Sequence, residues 1–289
     1  MFQWLQSKQK QNTLKNTLKQ YLVRHMGGPC EKAQIISHTI KPIERVNLHL
    51  ALEEWFRHNQ GSAEVLGYAS FLNLDDRGVA HLLRDDAQIS LAPIEREQFL
   101  QAPGHEVDCV TRGIFLLRFE NHPVIVLLRH PDRRWEEPRL ELMAHERQLA
   151  QSALKHLLDE VNRHIVYKGK AIYLERISQF SQEVSIRFHG LPSIARENIV
   201  LPEAVMEVVE RNVLGLLKHG ELLRRSGRAT RHGLLLHGPP GTGKTLMLRY
   251  LARACPEHTI VLLSGRQMGL IRESCEVARL LAPSLIVLE

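Results

Sequence analysis

The block Gly238-Pro239-Pro240-Gly241-Thr242-Gly243-Lys244-Thr245 follows the apolar run Gly233-Leu234-Leu235-Leu236-His237 and precedes the helical pattern Leu246-Met247-Leu248-Arg249-Tyr250-Leu251-Ala252. A strand, then a glycine-rich turn, then a helix is the context in which G-x-x-x-x-G-K-[ST] becomes a phosphate site. Gly241 and Gly243 let successive backbone N–H groups turn inward toward phosphate oxygens, and the helix behind them offers its positive end. Lys244 is placed to reach β- and γ-phosphates, and Thr245 to hold Mg²⁺. A plain Gly/Pro-rich surface turn would not account for both flanks.

A second acidic element begins at Pro283-Ser284-Leu285-Ile286-Val287-Leu288-Glu289, an apolar run of strand type ending in a carboxylate. The 289 residues exceed the size at which one core stops growing, so about two domains are expected. A hydrophobic content of 44% and a charged content of 24% are those of a globular chain. The formal net charge is +6, with Lys and Arg interspersed among Asp and Glu, so no nucleic-acid partner is expected. No apolar run approaches the roughly eighteen residues of a membrane span. The longest, Gly113 to Phe119 and Pro123 to Leu128, are interrupted by Arg118, Glu120, Asn121 and His122. Cys30, Cys109, Cys255 and Cys275 form no C-x-x-C pair, which points to a reducing compartment, with the cytoplasm as the expected location.

Residues 1–32 read as a basic helix or tail. Lys8, Lys10, Lys15, Lys19 and Arg24 precede the first acid, Glu31, while Leu14, Leu18, Tyr21 and Leu22 recur at helical spacing. With a single Arg and a single Ser before Glu31, an exposed or docking helix fits better than a targeting segment. Residues 33–190 read as an α/β domain. Val46, Leu48, Leu50, Leu52, Trp55 and Phe56 suggest one helix, and Ala150, Ala153, Leu154, Leu157, Leu158 and Val161 another. Gly113 to Phe119 and Val124 to Leu128 read as strands around the turn Glu120-Asn121-His122-Pro123, with further strands at Ala171 to Leu174 and Val184 to Phe188. Loops are expected near Pro93, Pro103-Gly104 and Pro131-Asp132-Arg133-Arg134. Asp75-Asp76 and Asp85-Asp86 suit turns or a solvated face better than ligation. His145-Glu146-Arg147-Gln148-Leu149 begins like H-E-x-x-H but lacks the second His, and no other catalytic constellation is recognisable here.

A boundary is expected near Gly190-Leu191-Pro192, opening a third segment, 191–289. Leu201-Pro202-Glu203 is a helix start with proline at the first position, and Val205, Val208, Val209, Val213, Leu216 and Leu217 supply its expected buried stripe. The succession Leu216-Leu217-Lys218-His219-Gly220-Glu221-Leu222-Leu223-Arg224-Arg225-Ser226-Gly227, then Arg231-His232-Gly233-Leu234-Leu235-Leu236-His237 and the phosphate loop, closely resembles the opening of the ATPase module of the AAA family. The resemblance covers residues 196 to 289, about a third of the chain. It implies an α/β P-loop NTPase domain with a three-layer core, incomplete at its C-terminus, behind an N-terminal domain that recognises a protein partner or substrate.

By this resemblance, Gly238, Pro239, Pro240, Gly241, Thr242, Gly243, Lys244, Thr245 and Leu246 surround the phosphates of ATP, and Ile199 and Val200, after Asn198, contribute backbone to the adenine pocket. Thr245 and Glu289 stand at the metal side, with Glu289 where the family usually has Asp, and Lys244 and Glu289 are the residues implied in catalysis. The 289 residues do not include the neighbour of Glu289 that would polarise water, the later sensor residues, the arginine finger or the helical lid. Nucleotide binding without turnover is therefore expected of this chain alone. The nearest counterpart of the family's pore loop, Gln267-Met268-Gly269-Leu270, has no aromatic residue, so substrate threading is not implied.

In the fold so implied, the strand Gly233 to His237 and the strand Leu285 to Glu289 do not pair with each other, because a later strand lies between them. Residues from about Thr259 onward are accordingly expected to be loosely held or re-paired. Two classes of function remain: an AAA-type ATP hydrolase, a ring oligomer such as a hexamer that remodels a protein partner, or a nucleotide-binding adaptor without turnover.

Overall fold

Strands buried on both faces lose the in-out alternation and read as continuous apolar runs. That is the state of the two central strands of the first half of the chain, and it explains the run from Gly113 to Phe119. The structure, a computed structural model, describes residues 18–59, 61–70, 78–84, 89–129, 138–176, 184–190, 192, 194–229 and 231–289. The expectations for Lys8, Lys10, Leu14, Lys15, Asp75-Asp76, Asp85-Asp86 and Pro131-Asp132-Arg133-Arg134 lie outside the described residues.

The elements of the first half are α1 (Leu18–Met26), β1 (Gln34–Thr39), α2 (Arg45–His58), β2 (Glu64–Ser70), α3 (Val79–Leu82), β3 (Ile89–Ala92), β4 (Glu95–Ala102), β5 (His105–Phe119), β6 (His122–Arg129), β7 (Arg139–Ala144) and α4 (Arg147–Arg163). Their sheet has the order β1-β7-β6-β5-β2-β3, with β4 paired to β5. Phe115, Leu117, Val124, Val126, Leu140 and Leu142 face α2 and α4, meeting Leu48, Leu52, Trp55, Ala153 and Leu157. The alternate residues Ile114, Leu116, Ile125, Leu127 and Met143 face α1 and α3. The β5–β6 turn is tighter than expected, because Glu120 (φ 48) and Asn121 (φ 67) alone make it. Two successive positive-φ residues match the right-handed twist of the flanking strands. His122 and Pro123 therefore belong to β6, where Pro123 pairs with Arg118 on β5 and lies before the segment that meets β7.

Residues 18 to 26 are not an appended tail. Leu18, Leu22 and Met26 are buried within the second face of the sheet, and His25 Nε2 lies 2.9 Å from the Leu117 carbonyl and 3.1 Å from that of Val124. The i, i+4, i+8 spacing of those three apolar residues gives α1 a seam long enough to dock, which outweighs its basic character.

The second half contains β8 (Ala171–Arg176), β9 (Val184–Phe188), α5 (Glu203–Glu210), α6 (Leu216–Arg225), α7 (Lys244–Ala254), β10 (Thr259–Leu263), α8 (Ile271–Leu280) and β11 (Ser284–Leu288). Its sheet has the order β11-β10-β8-β9. β10 runs parallel to both β8 and β11, and β8 and β9 form an antiparallel pair. Because β8 and β9 extend this sheet, the chain divides at His164/Ile165 and not near Gly190: the two compact units are Met1–Gln98 with Asp108–His164, and Phe99–Val107 with Ile165–Glu289.

Between α5 and α6 the residues Arg211–Gly215 form a π-helical turn. Met206, Val209 and Val213 are buried against Met247, Tyr250 and Leu251 of α7, while Val205 and Val208, expected in the stripe, are exposed. Pro202 caps α5 from outside, at φ −56 and ψ 135, and is not its first helical residue. The segment Gly233 to His237, expected as a strand, carries no strand hydrogen bonding. It is held through Leu236, which packs with Leu285 against the α5–α7 cluster, while Leu235 is 87% exposed. β10 and β11 are by contrast regularly paired over five residues each, with β11 at the edge of the sheet.

Two polar arrangements bind this unit. The buried Thr259 hydroxyl donates to the Leu281 carbonyl at 3.0 Å and accepts from the Gly169 N–H at 3.0 Å. Glu210 accepts from the Tyr250 hydroxyl and from Arg196 Nε (2.9 Å), tying the segment before α5 to α7. The Tyr250 hydrogen bond, followed by Arg196, holds the Glu210 carboxyl below its ordinary value against a smaller opposing effect of burial. Burial, with the Glu210 bond second, pushes Tyr250 up to about 12.

Thr259→Val should lower stability by about 2 kcal/mol, since it leaves a buried donor and acceptor unmatched, and Thr259→Ser should cost clearly less. Urea unfolding followed by circular dichroism measures both, and equal midpoints for Thr259→Val and parent would refute the assignment. A depressed carboxyl stabilises above its ordinary pKa of 4.5, and that contribution is lost as pH falls through its lower folded value. Glu210→Gln should therefore be less stable than the parent at pH 7, with the gap closing below pH 4.5. A gap that stays constant down to pH 3, about the lower limit of such titrations, would count against it.

Candidate functional site

The phosphate loop is shaped by two glycines in the left-handed region. Gly241 has φ 82, and Gly243, directly before α7, has φ 85 and ψ 12. A side chain would be strained at either position. Gly238 is needed for a different reason: a Cβ there would lie 2.9 Å from Thr242 Oγ1. That hydroxyl is not free to retreat, because it donates to the Pro239 carbonyl at 2.9 Å.

Lys244 is the first residue of α7, and its ammonium folds back over the loop. Nζ donates to the Gly238 carbonyl at 2.8 Å and to the Pro239 carbonyl at 2.7 Å. An ammonium has three donors, so one remains uncommitted by these two bonds. The next residue, Thr245, donates from Oγ1 to Glu289 Oε1 at 2.6 Å. Forty-four residues separate the two. They meet because β11 runs parallel to β10 with Leu288 opposite Leu263, and the Glu289 N–H continues the ladder to the Leu263 carbonyl at 2.8 Å.

Thr245 and Glu289 sit on the wall of a cavity of about 470 Å³. Arg249, one turn after Thr245 on α7, lines it too, as do Ser264 and Gln267 after β10 and Tyr173 and His189 from the β8–β9 pair. Ser264 donates from its backbone N–H and its hydroxyl to Gln267 Oε1, at 2.9 and 3.0 Å, which fixes that rim. Beyond Thr245 and Glu289, of these lining residues only Gln267 is singled out in the sequence, and there as part of a pore-loop counterpart and not of this cavity. Only Arg249 carried a usable signal, its i+4 spacing from Thr245; Tyr173 and His189 arrive through a strand pairing that no motif announces.

Of the remaining expected residues, Pro239, Pro240 and Thr242 form the body of the loop, and Leu246 is exposed on the first turn of α7. Ile199 is half-buried against the Met206–Tyr250 cluster, whereas the Val200 side chain is 96% exposed. Any contact by Val200 to a base would thus leave its side chain unconstrained by packing. Arg196, just upstream, is anchored by Glu203 and Glu210, which positions this segment beside α5.

Comparison with known proteins bears on this site. Residues 234–289 match the family model described as "ATPase family associated with various cellular activities (AAA)". The chain is 40% identical over 102 residues to a 26S proteasome regulatory subunit 8 homolog of Encephalitozoon cuniculi, covering 31% of this chain and 24% of that protein. It is 37% identical over 81 residues to a proteasome-activating nucleotidase of Methanosphaerula palustris, covering 25% and 20% respectively. Over a longer stretch, 202 residues, it is 28% identical to a cell division cycle protein 48 homolog of Archaeoglobus fulgidus, covering 67% of this chain and 25% of that one. The chain thus spans a quarter or less of the length of these curated relatives. The glycine-shaped loop, the lysine and threonine that open α7 and the acid ending β11 all fall inside the residues that match the AAA family model, so the C-terminal α/β segment of this chain is similar to the ATPase domain of that family.

Proposed function

We propose that this chain binds ATP with Mg²⁺ at the loop Gly238–Thr245, and that the assembled protein couples ATP hydrolysis to remodelling of a protein partner. The observation that carries the reading is the meeting of Thr245 and Glu289 at 2.6 Å beside Lys244, at the positive end of α7. A hydroxyl and a carboxylate are two hard oxygen donors, and Mg²⁺ is commonly held by one or two protein oxygens together with phosphate oxygens and water. The donor set therefore fits the ion. When bound, Mg²⁺ neutralises charge on the β- and γ-phosphate oxygens.

Each residue has a defined part. The N–H groups after Gly241 and at the start of α7 cradle phosphate oxygens. Lys244 exchanges the Gly238 and Pro239 carbonyls for the β- and γ-phosphates. Thr245 and Glu289 hold the metal side, and Glu289 is fixed there by its own backbone bond to Leu263. Ile199 and Val200 offer backbone to the base. Arg249, Tyr173 and His189 bound the space beyond the metal.

The wider reading rests on relatives. The similarity to a proteasome-activating nucleotidase and to a cell division cycle protein 48 homolog supports a ring oligomer acting on protein, with the N-terminal unit as the recognition element. Among the described residues, no helix is long and apolar enough to cross a membrane. All four cysteines are free thiols, which supports a reducing compartment such as the cytoplasm.

Lys244→Ala should weaken ATP·Mg²⁺ binding by about 100-fold, the equivalent of about 3 kcal/mol of charge-assisted hydrogen bonding. Calorimetry on parent and variant decides it, and matched affinities would refute the site. Glu289→Gln should retain affinity for Mg²⁺-free ATP while losing most of the gain that Mg²⁺ confers. An unchanged Mg²⁺ dependence would remove Glu289 from the metal side.

A further inference from the structure

The C-terminal ends of α2 and α4 place charge where helices disfavour it. Glu160 lies in the last turn of α4 and Glu54 just before the last turn of α2, both toward the negative end of a helix dipole. Each glutamate is followed four residues later by a histidine, giving Glu54-x-x-x-His58 and Glu160-x-x-x-His164 at the ends of two packed helices. The carboxylate oxygens of Glu54 and Glu160 and a ring nitrogen of His164 all lie within 4.8 Å of one another. Carboxylates near helix C-termini are favoured by a nearby cation, a part that Arg163 plays for Glu160 and that His164 plays for Glu54 when protonated.

We propose that this cluster is a binding site for a divalent transition metal of the Zn²⁺ type, with Glu54, Glu160 and His164 as ligands and water completing the coordination. Mixed carboxylate and imidazole donors without thiolate suit Zn²⁺, which binds them at about 2.0–2.2 Å. His164 Nε2 already stands 2.9 Å from Glu54 Oε2, and the Glu54 side chain is 38% exposed, so its carboxylate closes the triangle by rotation. Glu160 Oε1 pairs with Arg163 at 2.5 Å, leaving its second oxygen for the metal. His58 Nδ1 bonds the Glu54 carbonyl at 2.8 Å, beside the cluster but outside the converging ligand atoms.

A cavity of about 350 Å³, lined by Glu54, His58, Arg118, His156 and Glu160 among others, adjoins the cluster and has room for water ligands. His156 is held there against Trp55 and Phe119, with ring centroids at 5.9 and 5.5 Å. The site lies wholly within the N-terminal unit and is independent of the phosphate loop.

The test uses the full chain after chelator treatment, titrated with Zn²⁺ by calorimetry and with Co²⁺ by visible absorption. One saturable equivalent is expected, accompanied by a rise in thermal midpoint. Affinity should fall about 10-fold or more in Glu54→Gln and in His164→Gln, and should persist in Thr245→Ala, which separates this site from the metal side of the nucleotide site. Circular dichroism establishes that the variants are folded. Absence of saturable Zn²⁺ binding by the parent, or Glu54→Gln and His164→Gln titrations that coincide with it, would overturn the proposal.

Discussion

Everything proposed for the C-terminal unit depends on one turn of backbone. Gly241 and Gly243 take up left-handed angles, and α7 starts immediately afterwards at Lys244. That abrupt start leaves the first N–H groups of the helix without intrahelical partners. Without Gly243 at φ 85, Lys244 would not reach back to the loop carbonyls and Thr245 would not face Glu289. The parallel pairing of β10 and β11 supplies the other half of the constraint, because a shift of one residue would turn the Glu289 side chain to the opposite face of the sheet.

The N-terminal unit answers to a different constraint. Its antiparallel sheet is covered on both faces, by α2 and α4 on one and α1 and α3 on the other. Burial on both faces demands continuous apolar strands, which β5 and β6 provide, and it demands that α1 dock. Packing two helices on one face also brings their C-terminal turns together, and so creates the Glu54, Glu160 and His164 cluster. Each helix surface there is ordinary alone; the charge arrangement exists only in the fold.

What could be read in advance follows from how local each feature is. The phosphate loop was legible because its chemistry is contiguous: Gly238 to Thr245 contain the turn, the cation and the hydroxyl in eight residues. Glu289 was legible as the end of an apolar run. The strands at Ala171 and Val184 were recognised as strands but assigned to the wrong side of a boundary, since nothing local records that β8 pairs with β10. Val205 and Val208 fit one helical stripe, but α5 buries the neighbouring face of Met206 and Val209, a choice between two apolar faces that only the packing against α7 makes. Gly233 to His237 has the composition of a strand, yet strand structure is a property of a neighbour, and among the described residues it has none hydrogen-bonded as a ladder. Tyr173, His189 and the Glu54–His164 contact are long-range encounters of the same kind. The histidines concerned look scattered along the chain until α2 and α4 align them.

The central claim is that the amides around Gly243 and the start of α7 are an anion cradle, with Lys244 provisionally held by its own loop. Hydrogen exchange of the backbone amides from Thr242 to Thr245, compared with and without ATP·Mg²⁺, tests it most directly. The account predicts marked slowing of exchange at these amides on nucleotide addition, with no comparable change in α2 or α4. Exchange at Thr242 to Thr245 that is unchanged at saturating ATP·Mg²⁺ would contradict it.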